Sequence, residues 1–345
     1  MMKYAMLLWP HANARYQAEA RRLALCELEL MLQCLAPRAT VRVDESASWP
    51  GLAIESPEAL DARALRGIAQ HSLMYQLFER REDASLMPVI GRGPALLGED
   101  LPAILKYKGK TNETFLKLLI NVALYSGAFW DAAGPLAYLD PVCGRATAPF
   151  IALNLGWNAV GADVDQGDLR EAERFFKRYL EYHHYKHQTA RESRTLPQGR
   201  SAPAVRFTVA DTPERFKAGD CISLQLIHLD AARSDKALPA GRFHLIAGDL
   251  PYGVRHDATP GDAGRKSSNW LEALLAKALP QWRAALKTGG ALALSFNAQG
   301  MKREHMRSLL NDAGFEVLSG GPYDSFEHWV EQAITRDVAV ARKCR

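Results

Sequence analysis

The stretch YLDPVCGRATAPFIALNLGWNAVGADVD, residues 138–165, decides the fold. It begins with a short apolar run typical of a buried parallel strand, and a turn containing Gly144 follows. An apolar helix and a second strand come next, and this strand ends in Asp163. We therefore predict a nucleotide-type β-α-β unit, in which turn amides approach a ligand and the terminal acid can hold ribose hydroxyls.

The turn differs from the dinucleotide-binding fingerprint. G-x-G-x-x-G is absent, and Asp140 and Pro141 precede Gly144. Since an acid facing a pyrophosphate would be repulsive, the turn disfavours a dinucleotide. A cationic sulfonium cofactor, with no phosphates and an amino-acid end, suits Asp140 better. From these residues alone, an ordinary strand–helix turn with incidental acids stays open.

Two later strands also end in acids. LIHLDAARSDK, residues 226–236, ends a strand at Asp230, which can accept from an adenine amino group or cap the next helix. GDLPYGVRH, residues 248–256, directly follows the apolar run FHLIA. Asp140, Asp163, Asp230 and Asp249 thus form an ordered series, and parallel strands usually present their chemistry at such ends.

The stretch GDLPYGVRH fits a site for an amino group on a base. Such an amine is poorly nucleophilic because its lone pair is delocalised into the ring. Asp249 and the carbonyl beside Pro251 can hold both amine hydrogens, and Tyr252 offers a face for stacking a base. Gly253 leaves room for the substrate. The alternative is a strand end followed by a proline-containing turn.

The rest of the chain predicts an α/β protein. Strands and helices alternate from residue 138 onward, which is typical of a doubly wound sheet. Residues 1–95 show the order β-α-β-β-α-β of a ferredoxin-like α+β domain, and GRGPALLGED, residues 91–100, is predicted to be a linker. We therefore predict two domains, 1–95 and 96–345.

Composition excludes several classes. Hydrophobic residues make up 48% of the 345 residues and charged residues 24%, as in ordinary globular proteins. No apolar run approaches the length of a membrane span, and the N-terminus lacks the pattern of a signal peptide. The five cysteines are scattered with no C-x-x-C pair, so we expect a reducing, cytoplasmic setting without a disulfide framework.

Three motifs resemble those of a known family. DPVCGRAT (140–147), VGADVD (160–165) and DLPYGVR (249–255) are similar to the cofactor and target-amine motifs of the tRNA guanine-N2 methyltransferases. That family uses S-adenosylmethionine and is often associated with THUMP domains. AILKYKGKTNETFLKLLINVAL (103–124) resembles the helix before the cofactor motif in the branch that methylates guanine 10 of tRNA. The resemblance covers roughly residues 100–345 and implies a Rossmann-like class I methyltransferase fold.

The resemblance also implies residue roles. The residues implied at the cofactor are Asp140, Cys143 and Gly144 at the methionine end, Asp163 at the ribose, Asp230 at the adenine, and Asn112, Thr114 and Phe115 from the preceding helix. The residues implied at the target amine are Asp249, Leu250, Pro251 and Tyr252.

The chain departs from the family pattern at three points. Ala146 stands where the family turn usually has a second glycine, and alanine fits there if its φ is negative. Leu250 stands where many relatives have proline. The first 95 residues leave room for one small ferredoxin-like unit and not for a full THUMP domain, so RNA recognition is expected to differ from that of better-known members.

Basic segments are the predicted RNA contacts. Between Arg170 and Arg206 nine Lys or Arg residues face four Glu, on a helix predicted over 166–187 and a polar tail after it. This insertion could track a phosphate backbone, or it could be a solvated helix face with a loop. The predicted contacts are Lys106, Lys108, Lys110, Arg178 and Lys186. We expect no metal, because the spacing of His183 and His187 lacks the carboxylate of a zinc motif.

We therefore predict an S-adenosylmethionine-dependent enzyme that methylates the exocyclic N2 amine of a guanine in tRNA or another structured RNA. One alternative is an amino-methyltransferase acting on DNA adenine or cytosine or on a protein amide. Another is a non-catalytic RNA-binding protein of the same fold, which Ala146 favours.

Overall fold

A computed structural model describes residues 1–10, 14–45, 51–196, 201–234, 237–252 and 263–344, without the side chains of 14–18 and 263–269. The chain divides into two compact units. One consists of Met1–Pro94 with Ser319–Gln332, and the other of Ala95–Leu318 with Ala333–Arg345.

The first unit is an α+β structure with an antiparallel sheet. Its elements are β1 (Met2–Leu8), α1 (Ala14–Leu35), β2 (Thr40–Val43), β3 (Gly51–Ser56), α2 (Ala62–Ile68), β4 (Met74–Arg80), β5 (Leu86–Gly91) and β14 (His328–Glu331). The sheet order is β2-β3-β1-β4-β5. The first four strands and two helices follow the order read from the sequence. Strand β5 was not predicted, because Pro88 interrupts it, and proline is tolerated only on an edge strand such as this one.

The second unit is a mixed sheet with helices. Its elements up to residue 228 are α3 (Leu101–Ile104), α4 (Glu113–Ser126), β6 (Ala137–Asp140), α5 (Thr147–Asn154), β7 (Asn158–Asp163), α6 (Gln166–Tyr182), β8 (Lys186–Thr195), β9 (Ser201–Ala210), α7 (Pro213–Lys217) and β10 (Ile222–His228). The remaining elements are β11 (Phe243–Asp249), α8 (Ala263–Ala285), β12 (Leu286–Asn297), α9 (Arg303–Asp312), β13 (Glu316–Leu318) and β15 (Ile334–Arg342).

The order of the strands confirms the predicted fold class. They follow the path β13-β15-β12-β11-β6-β7-β10-β9-β8. The five central strands β10, β7, β6, β11 and β12 pair in parallel, whereas β15 runs antiparallel to β12. The chain winds to one side after β6 and to the other after β11, so the Rossmann-like switch point lies between these two strands. Ligands of doubly wound sheets bind at this point, beyond the carboxyl ends of the strands.

Helix α4 is central to the second unit. All residues from Phe115 to Ser126 are buried, and the helix packs against β11, β12, β15 and α5. Apolar residues occur on all sides of this helix, as expected of a helix that the fold covers completely, and the polar Lys117 and Asn121 are buried with them. On another part of the sheet, Trp282 of α8 and Phe243 of β11 belong to the same buried apolar cluster. None of the helices among the described residues is long and apolar enough to cross a membrane.

The structure corrects the predicted insertion. Helix α6 ends at Tyr182 and does not continue to residue 187. In the segment predicted as a polar tail, residues 188–195 belong to β8 and residues 201–203 to β9, and these two strands form an antiparallel pair that extends the sheet beyond β10. His183 and His187 are therefore not one turn apart on a helix. Within the described ranges, no three His, Cys, Asp or Glu side chains are grouped so that they could hold a metal ion.

Candidate active site

The first component of the site is the carboxylate that ends β6. Asp140 is 3% exposed, and its Oδ1 accepts a hydrogen bond of 3.1 Å from the amide of Val142. Burial raises the pKa of Asp140 well above its ordinary value, and the nearby Asp163 and Asp249 raise it further. The fold thus holds a buried acid where two other acids oppose its charge.

The second component is Asp163 at the end of β7. Its Oδ2 accepts from the amide of Gly144 at 2.7 Å, and its Oδ1 accepts from the amide of Asp165 at 2.8 Å. Burial raises the pKa of Asp163, although these two hydrogen bonds act in the opposite direction. The Gly144 amide therefore donates to a carboxylate and does not serve a phosphate cradle.

The turn after β6 packs closely on β7. A Cβ at Gly161 would lie 2.8 Å from Sγ of Cys143 and 3.1 Å from Cγ of Pro149, so only glycine fits at this position. Burial raises the pKa of the Cys143 thiol well above its usual range. Since thiolates are the nucleophilic form of cysteine, Cys143 is not expected to act as a nucleophile, and its side chain packs against β7.

Ala146 occupies a strained position in the same turn. Its φ is +64°, and it is the N-cap residue of α5 without a side-chain capping bond. The negative φ that alanine would need to fit without strain is therefore not found. The left-handed region costs a non-glycine residue about 1–2 kcal/mol.

Replacing Ala146 by glycine is expected to stabilise the protein by about 1 kcal/mol, because glycine adopts this φ without a steric cost. Thermal unfolding should show a melting temperature about 2–4 °C higher. The matched control is Ala152→Gly on the buried side of α5, where glycine removes helix propensity and packing and should lower the melting temperature. An unchanged or lower melting temperature for Ala146→Gly would show that the turn is not strained.

The start of α4 lies beside this turn. Asn112 caps the helix, and its Oδ1 accepts from the amides of Thr114 at 2.8 Å and Phe115 at 3.3 Å. The hydroxyl of Tyr107 lies 3.4 Å from that of Thr147 on α5. The helix predicted from the cap is confirmed, and the contact between the Tyr107 and Thr147 hydroxyls joins the segment before α4 to α5.

The predicted target-amine residues follow β11. Asp249 accepts at Oδ1 from the Tyr252 hydroxyl at 2.5 Å and at Oδ2 from the Thr111 hydroxyl. Leu250 is buried, and its amide donates to the carbonyl of Ser295 at 2.9 Å, whereas Pro251 is exposed. Burial raises the pKa of Tyr252 well above its usual value, so its hydroxyl remains a donor. Residues 253–256 of the quoted stretch, including Gly253, lie outside the described residues.

Two contacts of Asp249 were missed by sequence reasoning. Thr111 precedes the helix cap and carries no motif signal of its own. Arg336 comes from β15, with its Nη2 3.5 Å from Oδ2 of Asp249. The only sequence signal that could have pointed to it is a charged pair, Arg336 and Asp337, next to the apolar run VAVA in the strand ITRDVAVAR.

Asp230 lies two residues after the end of β10, the strand that pairs with β7. Its Oδ1 accepts from the amide of Ala232 at 2.9 Å and caps a short helical turn, Ala231–Arg233. Its side chain is 45% exposed, and the amide of the preceding Leu229 donates to the carbonyl of Asp163 at 2.9 Å. Asp230 thus acts as a cap and lies beside the end of β7.

The predicted RNA contacts differ in their environments. Lys106, Lys108, Arg178 and Lys186 are exposed. In contrast, Nζ of Lys110 donates to the carbonyl of Pro102 at 2.7 Å and lies 3.5 Å from Glu113. Ion pairs also occupy several arginines of the basic insertion, namely Arg191 with Glu173 and both Arg194 and Arg206 with Glu192.

Comparisons with known proteins give structural neighbours only. No family model and no curated protein matches the sequence. A TehB-like SAM-dependent methyltransferase from Corynebacterium glutamicum is 16% identical, covers 61% of this chain and 82% of its own, and has a TM-score of 0.35. Magnesium protoporphyrin IX methyltransferase from Synechocystis, solved with bound SAM, is 14% identical over 71% of this chain and 90% of its own, with a TM-score of 0.37.

A third neighbour extends over nearly the whole chain. The structure of a possible exported protein from Bordetella parapertussis is 14% identical, covers 96% of this chain and 98% of its own, and has a TM-score of 0.36. Likenesses of this size carry no activity or substrate to the present chain, and its function is argued from its own residues.

Proposed function

We propose that this protein is an S-adenosylmethionine-dependent methyltransferase that acts on the exocyclic N2 amine of a guanine in tRNA or another structured RNA. One observation carries the proposal. Asp140, Asp163 and Asp249 end three adjacent parallel strands around the switch point of the sheet. Burial raises the pKa of Asp140, and the nearby Asp163 and Asp249 raise it further, so this end of the sheet disfavours an additional negative charge.

The residues fit this cofactor better than a dinucleotide. A ligand with a sulfonium and an ammonium group would relieve the repulsion among the carboxylates, whereas a pyrophosphate would add to it. The amide of Gly144, which a phosphate would need, already donates to Asp163. We assign Asp140, Cys143 and Gly144 to the methionine end, Asp163 to the ribose and Asp230 to the adenine. Asn112, Thr114 and Phe115 would flank the cofactor from α4.

The chain's own residues would act mainly by positioning. The cofactor supplies the methyl group when it is bound. Asp249 and the carbonyl beside Pro251 hold the two amine hydrogens, so that the nitrogen lone pair is free to form the new bond. Asp249 then accepts the proton that the nitrogen gives up, while Tyr252 stacks on the base. Leu250, buried behind the loop, anchors it through its amide.

The RNA is proposed to be held by exposed cations. Lys106 and Lys108 lie between α3 and α4, and Arg178 and Lys186 lie on α6 and β8. Such side chains contact phosphates without reading sequence, so they would strengthen binding in a salt-dependent way. Lys110 is also proposed to contact RNA, and its Nζ would first have to break its hydrogen bonds to the carbonyls of Pro102 and Ala103. The first unit is proposed to take part in positioning the RNA.

The test is methyl transfer with nucleoside analysis. The protein is incubated with methyl-labelled S-adenosylmethionine and a tRNA transcript, which is digested and analysed by mass spectrometry. We expect N2-methylguanosine. Label found instead in adenine or cytosine of DNA, or in a protein amide, would replace the substrate while keeping the amino-methyltransferase chemistry. If calorimetry finds no cofactor binding at millimolar concentration, the enzyme proposal fails and the non-catalytic RNA-binding protein replaces it.

A further inference from the structure

Arg336 is a buried cation in the middle of the proposed target-amine site. Its side chain is 8% exposed, and its guanidinium carbon lies 4.5 Å from the ring centre of Phe115 and 5.5 Å from that of Tyr252. Its Nε donates to the Tyr252 hydroxyl at 2.6 Å, across 84 positions of sequence. The arginine is thus held by an aromatic ring from α4, an aromatic ring from the β11 loop and the carboxylate of Asp249.

The topology of the sheet brings this arginine to the site. Strand β15 runs antiparallel to β12, so its first residues reach the edge at which the parallel strands end. Arg336 pairs with Asn297, two positions beyond Ser295, which itself pairs with Asp249. No motif near residue 336 marks this position, because only the folded sheet places it beside the loop.

In the hydrogen bonds that link Arg336, Tyr252 and Asp249, each donor and each acceptor can be assigned. Arginine can only donate, so the Tyr252 oxygen accepts from Nε and its hydroxyl hydrogen points to Oδ1 of Asp249. The Thr111 hydroxyl occupies Oδ2. This chain of donors fixes the plane of the Tyr252 ring and the orientation of the Asp249 carboxylate together.

Burying an arginine beside a β-strand costs more free energy than burying an apolar side chain there. Desolvation of a guanidinium costs several kcal/mol unless partners compensate, and apolar residues of similar volume often stabilise a fold as well or better. The next residue, Asp337, shows an ordinary structural pair, in which Arg303 Nε and Nη2 approach the carboxylate at 2.6 and 3.0 Å. Arg336 differs because the Tyr252 hydroxyl and the Asp249 carboxylate, which it contacts, are groups assigned to the acceptor.

We propose that Arg336 is a positioning residue for the methyl acceptor, acting through the Tyr252 hydroxyl to aim Asp249 and to hold the stacking ring. This inference rests on the proposed function and names a residue that the motifs do not contain. Lysine cannot replace the guanidinium in this role, since it keeps the charge but lacks the planar fork and the stacking face.

The first experiment compares Arg336→Lys with a matched control, Arg303→Lys. With saturating S-adenosylmethionine, Arg336→Lys is expected to lower kcat by about 10- to 100-fold, because small misplacement of reacting groups has effects of this size. The cofactor dissociation constant, measured by calorimetry, should stay within about twofold, because the Tyr252 hydroxyl and the Asp249 carboxylate that Arg336 contacts are assigned to the acceptor, and lysine keeps a cation near the ring of Phe115. Arg303→Lys should lower the melting temperature and leave kcat close to that of the unsubstituted protein.

The second experiment separates positioning from a structural role. Tyr252→Phe removes the hydroxyl and keeps the ring, so the Arg336→Lys/Tyr252→Phe pair should lose no more turnover than the worse single variant. Losses that multiply, or an Arg336→Lys enzyme with normal kcat, would overturn the inference and leave the proposed function standing. If the unsubstituted protein transfers no methyl group to any acceptor, the proposed function fails first and the inference falls with it.

Discussion

Replacing Asp249 by alanine is expected to lower kcat for methyl transfer by about 100- to 10,000-fold, the contribution typical of a positioned acid or base. Asp249 is the acceptor for the amine hydrogens in the proposed site, and the variant leaves the nitrogen lone pair in the ring system. Its loss should not prevent cofactor binding, because the residues assigned to the methionine and ribose ends lie at the end of β6, in the turn after it and at the end of β7. The measurement is single-turnover transfer to tRNA, with calorimetry of S-adenosylhomocysteine on the same protein.

Two further variants test whether the loss of turnover comes from the Asp249 carboxylate itself. Asp249→Asn keeps one oxygen, which can accept from either Thr111 or Tyr252 but cannot replace both carboxylate oxygens. It should therefore retain more turnover than alanine and show whether hydrogen bonding or proton acceptance dominates. Asp211→Ala is the matched control, since Asp211 follows a strand and pairs with Arg215 at 2.8 Å, as Asp249 lies beside Arg336. Normal turnover in Asp249→Ala would remove the residue from the mechanism.

The parts of the site that could be predicted are those with local signals. The acids that end β6, β7 and β11 follow apolar runs directly, so each strand end was visible in the sequence. Asn112 was visible as a cap before an apolar helix. These features depend on neighbours within a few residues, which is the range that periodicity and capping rules cover.

The features that could not be predicted depend on contacts between residues far apart in the sequence, on unusual backbone angles, or on a strand without an apolar pattern. The end of α6 was missed because His184, and not a glycine, adopts the positive φ of +59° after the helix. Strand β8 was missed because it is mostly exposed, so its residues lack the apolar alternation that indicates a strand. Arg336 was missed because its partners lie on α4 and after β11. Ala146 was noticed, but only the structure shows that its φ is positive.

Asp140→Asn is expected to raise the stability of the unliganded protein and to weaken cofactor binding. The amide keeps the oxygen that accepts from Val142 but carries no charge, so the buried repulsion with Asp163 and Asp249 disappears. The unliganded variant should therefore melt higher at neutral pH, by about 2–4 °C for each kcal/mol recovered. Binding of S-adenosylmethionine should weaken by about 10- to 100-fold, the value of a hydrogen bond to a charged group.

The gain in melting temperature is expected to depend on pH, because Asp140 changes its charge with pH. Burial raises the folded-state pKa of Asp140 above the ordinary value of 3.8, so the protonated form favours folding. Its contribution is complete below that ordinary pKa and is lost as the pH rises through the raised folded value. The melting-temperature difference between Asp140→Asn and the unsubstituted protein should thus be small in acid and grow towards neutral pH. Asp165→Asn, at an exposed helix cap that asparagine serves equally well, should show no such growth. A difference that stays constant with pH, or a variant that binds the cofactor normally, would show that the Asp140 charge does not shape the site.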